Sequence, residues 1–399
     1  MSKGEPALSA EAMRPDLSLQ PAGYLCAARN VGIKDQTLDF TVVLSTTPAS
    51  AAATFTRNRF CGHPVTVGRQ HVADGLIRAV VVNSKNANVA TGAQGLEDTR
   101  EICRLVGAEV GVPAEEVFPC STGVIGRPLP MERIRQGVRG IGGQLAPGRL
   151  EEFARAILTT DTRPKWRSAR VGACVLAGCC KGAGMIEPNM ATMLAFFFTD
   201  AALTAEQLRQ ALGAAVDVSF NMLSVDTDTS TSDTALLVAN GQAGSVDPVA
   251  FGSALTAMAR ELAQEVARDG EGATKLLEVA VSGAPDRQAA RQIAKAVVNS
   301  PLVKTAVWGA DPNWGRVAMA VGKCSAVPVD PDLLRIAFGE LEVFASGEPR
   351  EQALEPLERY LAGSRIRIAI DLGLGSSEAT AWGCDLTPEY VHINGDYTT

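Results

Sequence analysis

The order of apolar and polar residues along the chain predicts a series of β-strands. Short apolar runs are typical of buried strands, and runs in which apolar and polar residues alternate are typical of half-buried ones. These patterns predict the strands FTVVLS (40–45), AVVVN (79–83), MLAFFFTD (193–200), TALLVAN (234–240), LLEVAVSG (276–283), LRIAFGELEVF (334–344) and RIRIAIDLGLG (365–375).

Between these runs, apolar residues recur with the 3.6-residue period of amphipathic helices. The period predicts helices within 96–111, 148–160, 204–221, 247–269 and 286–299. Strands interleaved with helices indicate an α/β fold, and the two alternating runs near the C-terminus favour antiparallel pairs within it.

The chain length allows two domains or one large layered sandwich. A single hydrophobic core stops growing at roughly 250–300 residues, and this chain has 399 residues. The sequence contains no internal repeat and no low-complexity linker. Its stretch GIGGQLAPGR (140–149), rich in glycine, is the best candidate for a connection between elements.

Composition narrows the class of protein. Hydrophobic residues make up 46% of the chain, charged residues 20%, and the formal net charge is -7, which suits a globular protein and gives no basic footprint for nucleic acid. The N-terminus has no apolar signal region, and no apolar run reaches about 18 residues, so we expect neither export nor a membrane span. Nine cysteines without CxxC spacing are expected as reduced core thiols in a cytoplasm. Three histidines without ligand spacing predict no metal site.

Candidate chemistry concentrates in KGAGMIEPNMATMLAFFFTD (181–200). A threonine hydroxyl within a chain is a poor nucleophile, but at a chain terminus its own α-amino group can act as the adjacent base. Two glycines able to adopt strained conformations, and rigid Pro188, could present the carbonyl of Ala191 to the hydroxyl of Thr192. Local composition alone favours a simpler interpretation, in which Thr192 begins a strand after a glycine-rich turn.

The motif KGAGMIEPNMATML (181–194) closely resembles the cleavage and nucleophile motif of the ornithine acetyltransferases, also called glutamate N-acetyltransferases, which self-cleave before the threonine of ATML. Further blocks similar to those of that family occur in the same order: NANVATG (86–92), STGVIG (121–126), TTDTRPK (159–165), DTSTSDT (228–234), EGATK (271–275), VVNSPLVKTAV (297–307), DPNWGR (311–316) and the terminal NGDYTT. The resemblance covers residues 23–399, and so many ordered blocks identify the chain as a member of the family.

The resemblance implies a set of site residues. Thr192 would be the nucleophile, exposed by cleavage after Ala191, and Thr122 with Gly123 would form the oxyanion hole. Lys181 suits a substrate carboxylate and Glu271 a substrate amino group. The implied substrate-binding residues are Thr159, with Thr160 beside it, Lys181, Thr192, Glu271, Asn394 and Thr399, of which the last two would close the pocket.

The resemblance also implies the reaction. N-acetylornithine would acylate Thr192 and leave as ornithine, and glutamate would then take the acetyl group as N-acetylglutamate, with no cofactor. The implied fold is a layered α/β sandwich of the self-processing, N-terminal-nucleophile type. Its α fragment would be residues 1–191 and its β fragment residues 192–399, assembled as paired fragments.

Two features depart from the family pattern. Glu187 stands where many members have a small residue. The segment SVDTDTSTSDT (224–234) resembles in sequence the corresponding segment of the enzymes of clavulanic-acid-type antibiotic clusters. Substrate scope and the use of acetyl-CoA as a further donor stay open, and acetyl recycling alone is our preferred interpretation. Two other classes are a self-processing amidase or aminopeptidase, in which water takes the acyl group, and a catalytically silent homologue that binds amino acids.

Overall fold

The computed structural model describes residues 13–187, 193–350 and 354–396. Its strands are β1 (Met13–Arg14), β2 (Tyr24–Arg29), β3 (Phe40–Phe55), β4 (Leu76–Asn83), β5 (Val117–Ser121), β6 (Lys165–Val171), β7 (Cys174–Lys181), β8 (Leu194–Ala202), β9 (Thr234–Ser245), β10 (Leu276–Ala284), β11 (Arg335–Phe338), β12 (Leu341–Ala345), β13 (Glu348–Pro349), β14 (Arg365–Asp371) and β15 (Ser377–Cys384). Its α-helices are α1 (His63–His71), α2 (Gly92–Val110), α3 (Met131–Val138), α4 (Leu150–Ala156), α5 (Ala205–Asp217), α6 (Pro248–Arg268), α7 (Arg287–Val298), α8 (Pro301–Trp308), α9 (Gly315–Gly322), α10 (Leu354–Leu361) and α11 (Pro388–Asp396).

Strand β3 joins two halves of the larger sheet. Its first part pairs with β2 and β4, and its last part pairs with β9. A register shift between Leu44 and Ala49 interrupts the pairing of β3 with β4, and on the other edge of β3 the partner changes over the same stretch from β2 to β9. The first half ends with β5 beside β4, and the second half runs from β9 through β8, β7 and β6 to β1.

The inner faces of the two halves pack against each other. Val80 and Phe118 of the first half share a buried cluster with Phe196 and Phe198 of the second. Tyr24 of β2 contacts Phe198 edge to face, with 5.3 Å between ring centroids. Helices α2 and α3 cover the outer face of the first half, and α5 and α6 cover that of the second. This α/β/β/α order of layers confirms the predicted α/β sandwich.

The central position of β8 explains its unbroken apolar run. Phe196 and Phe198 belong to the cluster between the two halves, whereas Phe197 belongs to the cluster beneath α6. A strand that is buried on both faces needs apolar side chains on both. Gly178 of β7 leaves space for Phe197, because a Cβ at that glycine would lie 2.8 Å from the ring.

The smaller sheet has the order β13-β12-β11-β14-β10-β15. Strand β10 is parallel to β14 and antiparallel to β15. Leu277, Ile366 and Ile368 of this sheet pack with α7 into the cluster that also includes α5 and α6. Because the two sheets share this core, the chain forms one large sandwich with an attached sheet, which is the second of the two predicted organisations.

The predicted strands and helices are confirmed, with differences at their ends. The run 334–344 forms two strands, β11 and β12, because Gly339 turns the chain between them with φ of +56°. The predicted connection 140–149 links α3 to α4, and within it the backbone of Ala146 pairs with that of Cys26. The sequence patterns did not predict strands β1, β2, β5, β6, β7, β13 and β15 or helices α1, α3, α8, α9, α10 and α11.

The nine cysteines all lie within the described residues and carry free thiols, most of them in the core. Burial raises the pKa of Cys26 to about 12, so this thiol stays protonated and behaves as a small apolar group. Over the same part of the chain, no helix is long and apolar enough to cross a lipid bilayer.

Candidate active site

Most of the predicted site residues line one cavity of about 420 Å³. Lys181 ends β7, and Thr122 directly follows β5, so the cavity lies where the two halves of the larger sheet meet. The predicted residues in its wall are Thr122, Gly123, Thr159, Thr160, Lys181, Glu271 and Asn394. Ala191, Thr192 and Thr399 lie outside the described residues.

Thr122 and Gly123 form a tight turn after β5. The amide of Thr122 donates to the carbonyl of Asn83 over 3.1 Å, which fixes the turn against the end of β4. Gly123 has a φ of +131°, and a Cβ on it would lie 2.2 Å from the carbonyl carbon of Lys85. Only glycine fits this conformation and this close approach, so the backbone itself forms the cavity wall here.

Lys181 supports the hydroxyl group of Thr122. The residue is 9% exposed, and its Nζ donates to Oγ1 of Thr122 over 3.0 Å. Burial lowers the pKa of this ammonium below the ordinary lysine value, although the charges of Asp161 and Glu271 act in the opposite direction. A hydroxyl that accepts this bond still has its own proton to donate. The pair can therefore offer a polarised O–H to an oxygen atom in the cavity.

A buried triad of charges lies beneath the cavity. Nζ of Lys165 is 2.6 Å from Oδ1 of Asp161 and 2.6 Å from Oδ2 of Asp269, and the three side chains are almost fully buried. Asp161 also accepts from the backbone N–H groups of Gly182 over 2.7 Å and Thr159 over 3.0 Å. The triad therefore holds together the two segments that carry the predicted substrate-binding residues at 159 and 181.

The members of the triad keep one another ionised. Burial alone would raise the pKa of Asp161, but the positive charges of Lys165 and Lys181 outweigh it and hold that pKa well below its usual range. Burial would likewise lower the pKa of Lys165, but Asp161 and Asp269 outweigh it and raise that pKa. No sequence pattern predicted the triad. Its only local signal is a charge pair four residues apart, and Asp269 lies 104 positions further along the chain.

Glu271 and Asn394 meet in another part of the cavity wall. Oε2 of Glu271, a residue that is 7% exposed, accepts from Nδ2 of Asn394 over 2.8 Å. A Cβ on Gly184 would lie 2.3 Å from the carboxylate of Glu271. Gly184 is therefore needed for the space it leaves. The two glycines expected to adopt strained conformations were Gly182 and Gly184, and of these only Gly182 has a positive φ, +154°.

A loop formed by residues 225–229 holds the chain ahead of the predicted cleavage site. The backbone N–H groups of Met185 and Ile186 each donate to the carboxylate of Asp226 over 2.7 Å. Met185 has a φ of +55°, a conformation uncommon for a residue with a side chain. The N–H of Glu187 donates to the carbonyl of Asp228 over 3.0 Å. These bonds fix the backbone as far as Glu187.

The side chain of Glu187, one of the departures from the family pattern, has specific partners. Its Oε2 accepts from Nδ2 of Asn299 over 2.6 Å and from Oγ of Ser224 over 2.9 Å. Nζ of Lys295 lies 3.5 Å from its other oxygen. A small residue could make none of these contacts, so Glu187 anchors this segment to the C-terminal end of α7.

Met193 lies beside the same group of residues. Its carbonyl accepts from the N–H of Thr234 over 2.9 Å, and it lines a recess of about 20 Å³ together with Thr122 and Lys181. Met193, which follows Thr192 in the chain, therefore lines the same recess as Thr122 and Lys181.

Tyr390 and Asp226 are cavity residues that the sequence analysis did not assign. The hydroxyl of Tyr390, on α11, donates to Oδ2 of Asp226 over 3.4 Å. Burial raises the pKa of both groups, so the tyrosine stays protonated. The terminal NGDYTT block pointed to this end of the chain, but Tyr390 precedes the block and carries no signal of its own.

Comparison with known proteins adds to this geometry. The ArgJ family matches residues 25–399. The "Arginine biosynthesis bifunctional protein ArgJ 2" of Nostoc sp. is 50% identical over 383 residues, which cover 96% of this chain and 99% of the relative. The "Glutamate N-acetyltransferase Oat2" of Streptomyces clavuligerus is 49% identical over 385 residues, covering 95% of this chain and 98% of the relative. The crystal structure of an ArgJ protein from Bacillus halodurans matches with a TM-score of 0.50 and 42% identity, over 52% of this chain and 100% of that one.

The class of protein follows from these relatives: it is an acetyltransferase. The chain belongs to the ArgJ family. The family and the enzyme class predicted from the sequence motifs are thereby confirmed.

We expect Lys165→Met to lower the free energy of unfolding by about 3–5 kcal/mol, because it leaves two buried carboxylates without their cation. Because the pKa of Asp161 is lowered in the folded protein, its contribution to stability is present at every pH above the ordinary pKa of an aspartate. Because the pKa of Lys165 is raised, its contribution is present at every pH below the ordinary pKa of a lysine and is lost only at higher pH. The loss should therefore be similar from about pH 5 to about pH 9.

Urea unfolding at several pH values measures this loss. Arg209→Met, which breaks the exposed pair with Glu206, is the matched control and should lose far less. Equal losses in the two variants would contradict the role given to the triad.

Proposed function

We propose that the protein moves the acetyl group of N-acetylornithine to glutamate through an acetyl ester on Thr192. One observation carries the proposal: the Thr122–Lys181 hydrogen bond of 3.0 Å lies in a recess that Met193 also lines. A candidate oxyanion donor and a cation therefore stand beside the chain neighbour of the candidate nucleophile. The Oat2 relative, named a glutamate N-acetyltransferase, supports the same reaction.

Self-cleavage between Ala191 and Thr192 comes first. The hydroxyl of Thr192 attacks the carbonyl carbon of Ala191, the C–N bond breaks as the nitrogen takes up a proton, and water hydrolyses the resulting ester. The products are an α fragment, residues 1–191, and a β fragment, residues 192–399. Two observations support cleavage: the bonds that fix the backbone up to Glu187, and a matched ArgJ chain whose full length corresponds to 52% of this one.

Acetyl transfer follows in two steps. The Thr192 hydroxyl, its proton taken by the new α-amino group, attacks the acetyl carbonyl of N-acetylornithine. The Thr122 hydroxyl and the Gly123 N–H stabilise the oxyanion, the amide C–N bond breaks, and ornithine leaves with the proton. The amino group of glutamate then attacks the ester, releasing N-acetylglutamate and restoring the hydroxyl.

The charges of the cavity suit an amino acid substrate. Lys181 provides a cation for the α-carboxylate, and Glu271, held by Asn394, provides a carboxylate for an ammonium group. Thr159 and Thr160 line the same cavity and contribute hydroxyl groups. Thr399 would complete the pocket, as in the family motif, and the reaction would take place in the cytoplasm between paired α and β fragments.

A second candidate is a bifunctional enzyme that also takes the acetyl group from acetyl-CoA. The Nostoc relative, described as bifunctional, favours it. Acetyl recycling is the activity common to both candidates.

We expect the freshly purified, untagged protein to give two masses under denaturing conditions, the second corresponding to a fragment that begins at Thr192. Thr192→Ala should give one uncut chain, because it lacks the attacking hydroxyl, whereas Thr192→Ser keeps a hydroxyl and should still be cut. Intact-mass spectrometry reads all three. A single full-length species in the wild type would rule out the mechanism and favour the catalytically silent homologue.

Consumption of N-acetylornithine should depend on glutamate beyond the first turnover, because the acetyl ester on Thr192 persists until an amino group attacks it. Without glutamate, the β fragment should gain the mass of one acetyl group while ornithine appears in a single burst. The same measurement tests the amidase alternative: sustained release of acetate at an equal rate with and without glutamate would establish water as the acceptor.

Thr122→Val should lower kcat by about 10²–10³-fold, the usual effect of removing one oxyanion donor. Valine keeps the volume of threonine, so the change removes only the hydroxyl. Thr122→Ser is the control and should keep most of the activity. Rates are compared only for protein that mass spectrometry shows to be cleaved. If the kcat of Thr122→Val is within about threefold of the wild-type value, Thr122 is not part of the oxyanion hole.

A further inference from the structure

The proposed reaction, on which this inference rests, brings two substrates with opposite side-chain charges to one nucleophile. Ornithine ends in an ammonium group and glutamate in a carboxylate. The reaction cavity is lined by the carboxylates of Asp226, Asp228 and Glu271, which suit the first and repel the second. Lys181 can hold the α-carboxylate that both substrates carry, so the second carboxylate of glutamate needs another cation.

A second cavity, of about 860 Å³, adjoins the first. Thr159 lines both cavities, so they meet at that residue. Lys34, Lys85 and Arg155 bring three positive charges to the second cavity. Its carboxylates are that of Asp35 and that of Asp161, which is already bound by Lys165 and two backbone N–H groups. The second cavity is therefore positive where the first is negative.

Lys34 is held in place by a buried carboxylate. The oxygens of Asp39, a residue with 0% exposure, accept from the backbone N–H groups of Val31, Ile33 and Lys34 over 2.7, 2.7 and 2.8 Å. This arrangement fixes the turn that carries the lysine. A positively charged group that is positioned by a buried aspartate loses little entropy when it binds an anion.

The ammonium of Lys34 lies at the boundary of the two cavities. Its Nζ donates to the carbonyl of Leu38 over 2.9 Å and to that of Leu158, the neighbour of Thr159, over 2.7 Å. An ammonium has three N–H donors. Among the described residues these two carbonyls are its hydrogen-bond acceptors, so one donor is available to a ligand in the cavity.

The electrostatic surroundings of Lys34 favour an added negative charge. Burial lowers its pKa to about 8; Asp39 and Asp161 oppose that shift, and Lys181 and Lys85 reinforce it. Two ammonium groups that repel each other across the boundary of the cavities, Lys34 and Lys181, are both stabilised when a dicarboxylate places one charge at each.

We infer that Lys34 binds the side-chain carboxylate of the acceptor glutamate, whose α-carboxylate is held by Lys181. Lys85 and Arg155 make the surrounding potential positive, and Arg155 is held over the ring of Trp166 at 5.2 Å from its centroid. The ammonium end of ornithine stays in the first cavity with Glu271. The acetyl donor and the acetyl acceptor thus share the nucleophile and separate by side-chain charge.

The test isolates the second half of the reaction. Acetylated enzyme, prepared with N-acetylornithine, is mixed with glutamate, with its neutral isostere glutamine, or with ornithine, and loss of the acetyl group is followed by intact mass. Lys34→Met should slow deacetylation by glutamate about 10- to 100-fold, the effect of losing a hydrogen bond to a charged group. Deacetylation by glutamine and ornithine should change by no more than about threefold.

Two further variants serve as controls. Lys34→Arg keeps the charge and should restore most of the preference for glutamate over glutamine. Lys34→Gln keeps N–H donors for the two carbonyls while removing the charge, so it tests the inference if Lys34→Met does not fold, and it should lose the same preference. The ornithine reaction reports in each variant that the site is otherwise intact.

Three results would overturn the inference. A parallel loss with all three acceptors would make Lys34 a structural residue. An unchanged glutamate rate with slower acetylation by acetyl-CoA would assign the positive cavity to the phosphates of that donor. A wild-type protein that forms no acetylated enzyme would contradict the proposed function itself. That failure is distinguishable from one in which the acetylated enzyme forms normally but the Lys34 variants deacetylate with glutamate as fast as the wild type.

Discussion

The site depends on one buried interaction, the triad of Lys165, Asp161 and Asp269. Charges removed from water are tolerated only when each is paired and its other hydrogen-bonding positions are filled. The backbone N–H groups of Thr159 and Gly182 fill the positions on Asp161, so the segments that carry them cannot move without exposing a buried charge. An electrostatic requirement beneath the cavity thus decides where two parts of its wall lie.

Close backbone contacts shape the rest of the cavity. Gly123 lies against the carbonyl of Lys85, and Gly184 lies against the carboxylate of Glu271, at distances that exclude any Cβ. Fixed backbone geometry is what an oxyanion hole requires, because its donors must be in place before charge develops. The same rigidity continues through Asp226 to the residues ahead of the predicted cleavage site, so processing and catalysis would use one preorganised framework.

The two adjoining cavities carry charges of opposite sign. The reaction cavity combines a buried ammonium with carboxylates, and the neighbouring cavity is positive, with Thr159 between them. A ping-pong enzyme must present one nucleophile to two substrates in turn. In the proposed reaction, two cavities of opposite charge on either side of Thr159 would distinguish an ammonium side chain from a carboxylate side chain at the same nucleophile.

The amino-acid sequence by itself determined the family, the longer strands and helices, and those cavity residues that lie within the family motifs. Periodicity is a local property, so the apolar run of β8 and the helical period of α6 could be read without knowing their neighbours. Ordered motifs likewise located Thr122, Lys181 and Glu271. Strand β6 mixes charged residues with apolar ones and so shows no clear period.

Only the tertiary structure decided which side chains meet. Lys165 reaches Asp269 across 104 positions, and Lys34 reaches the carbonyl of Leu158 across 124. Glu187, which in the sequence was a departure from a family pattern, has its partners Ser224 and Asn299 in segments 37 and 112 positions further along the chain. These contacts join segments that lie far apart along the chain, and a local sequence pattern holds no information about the distance between such segments.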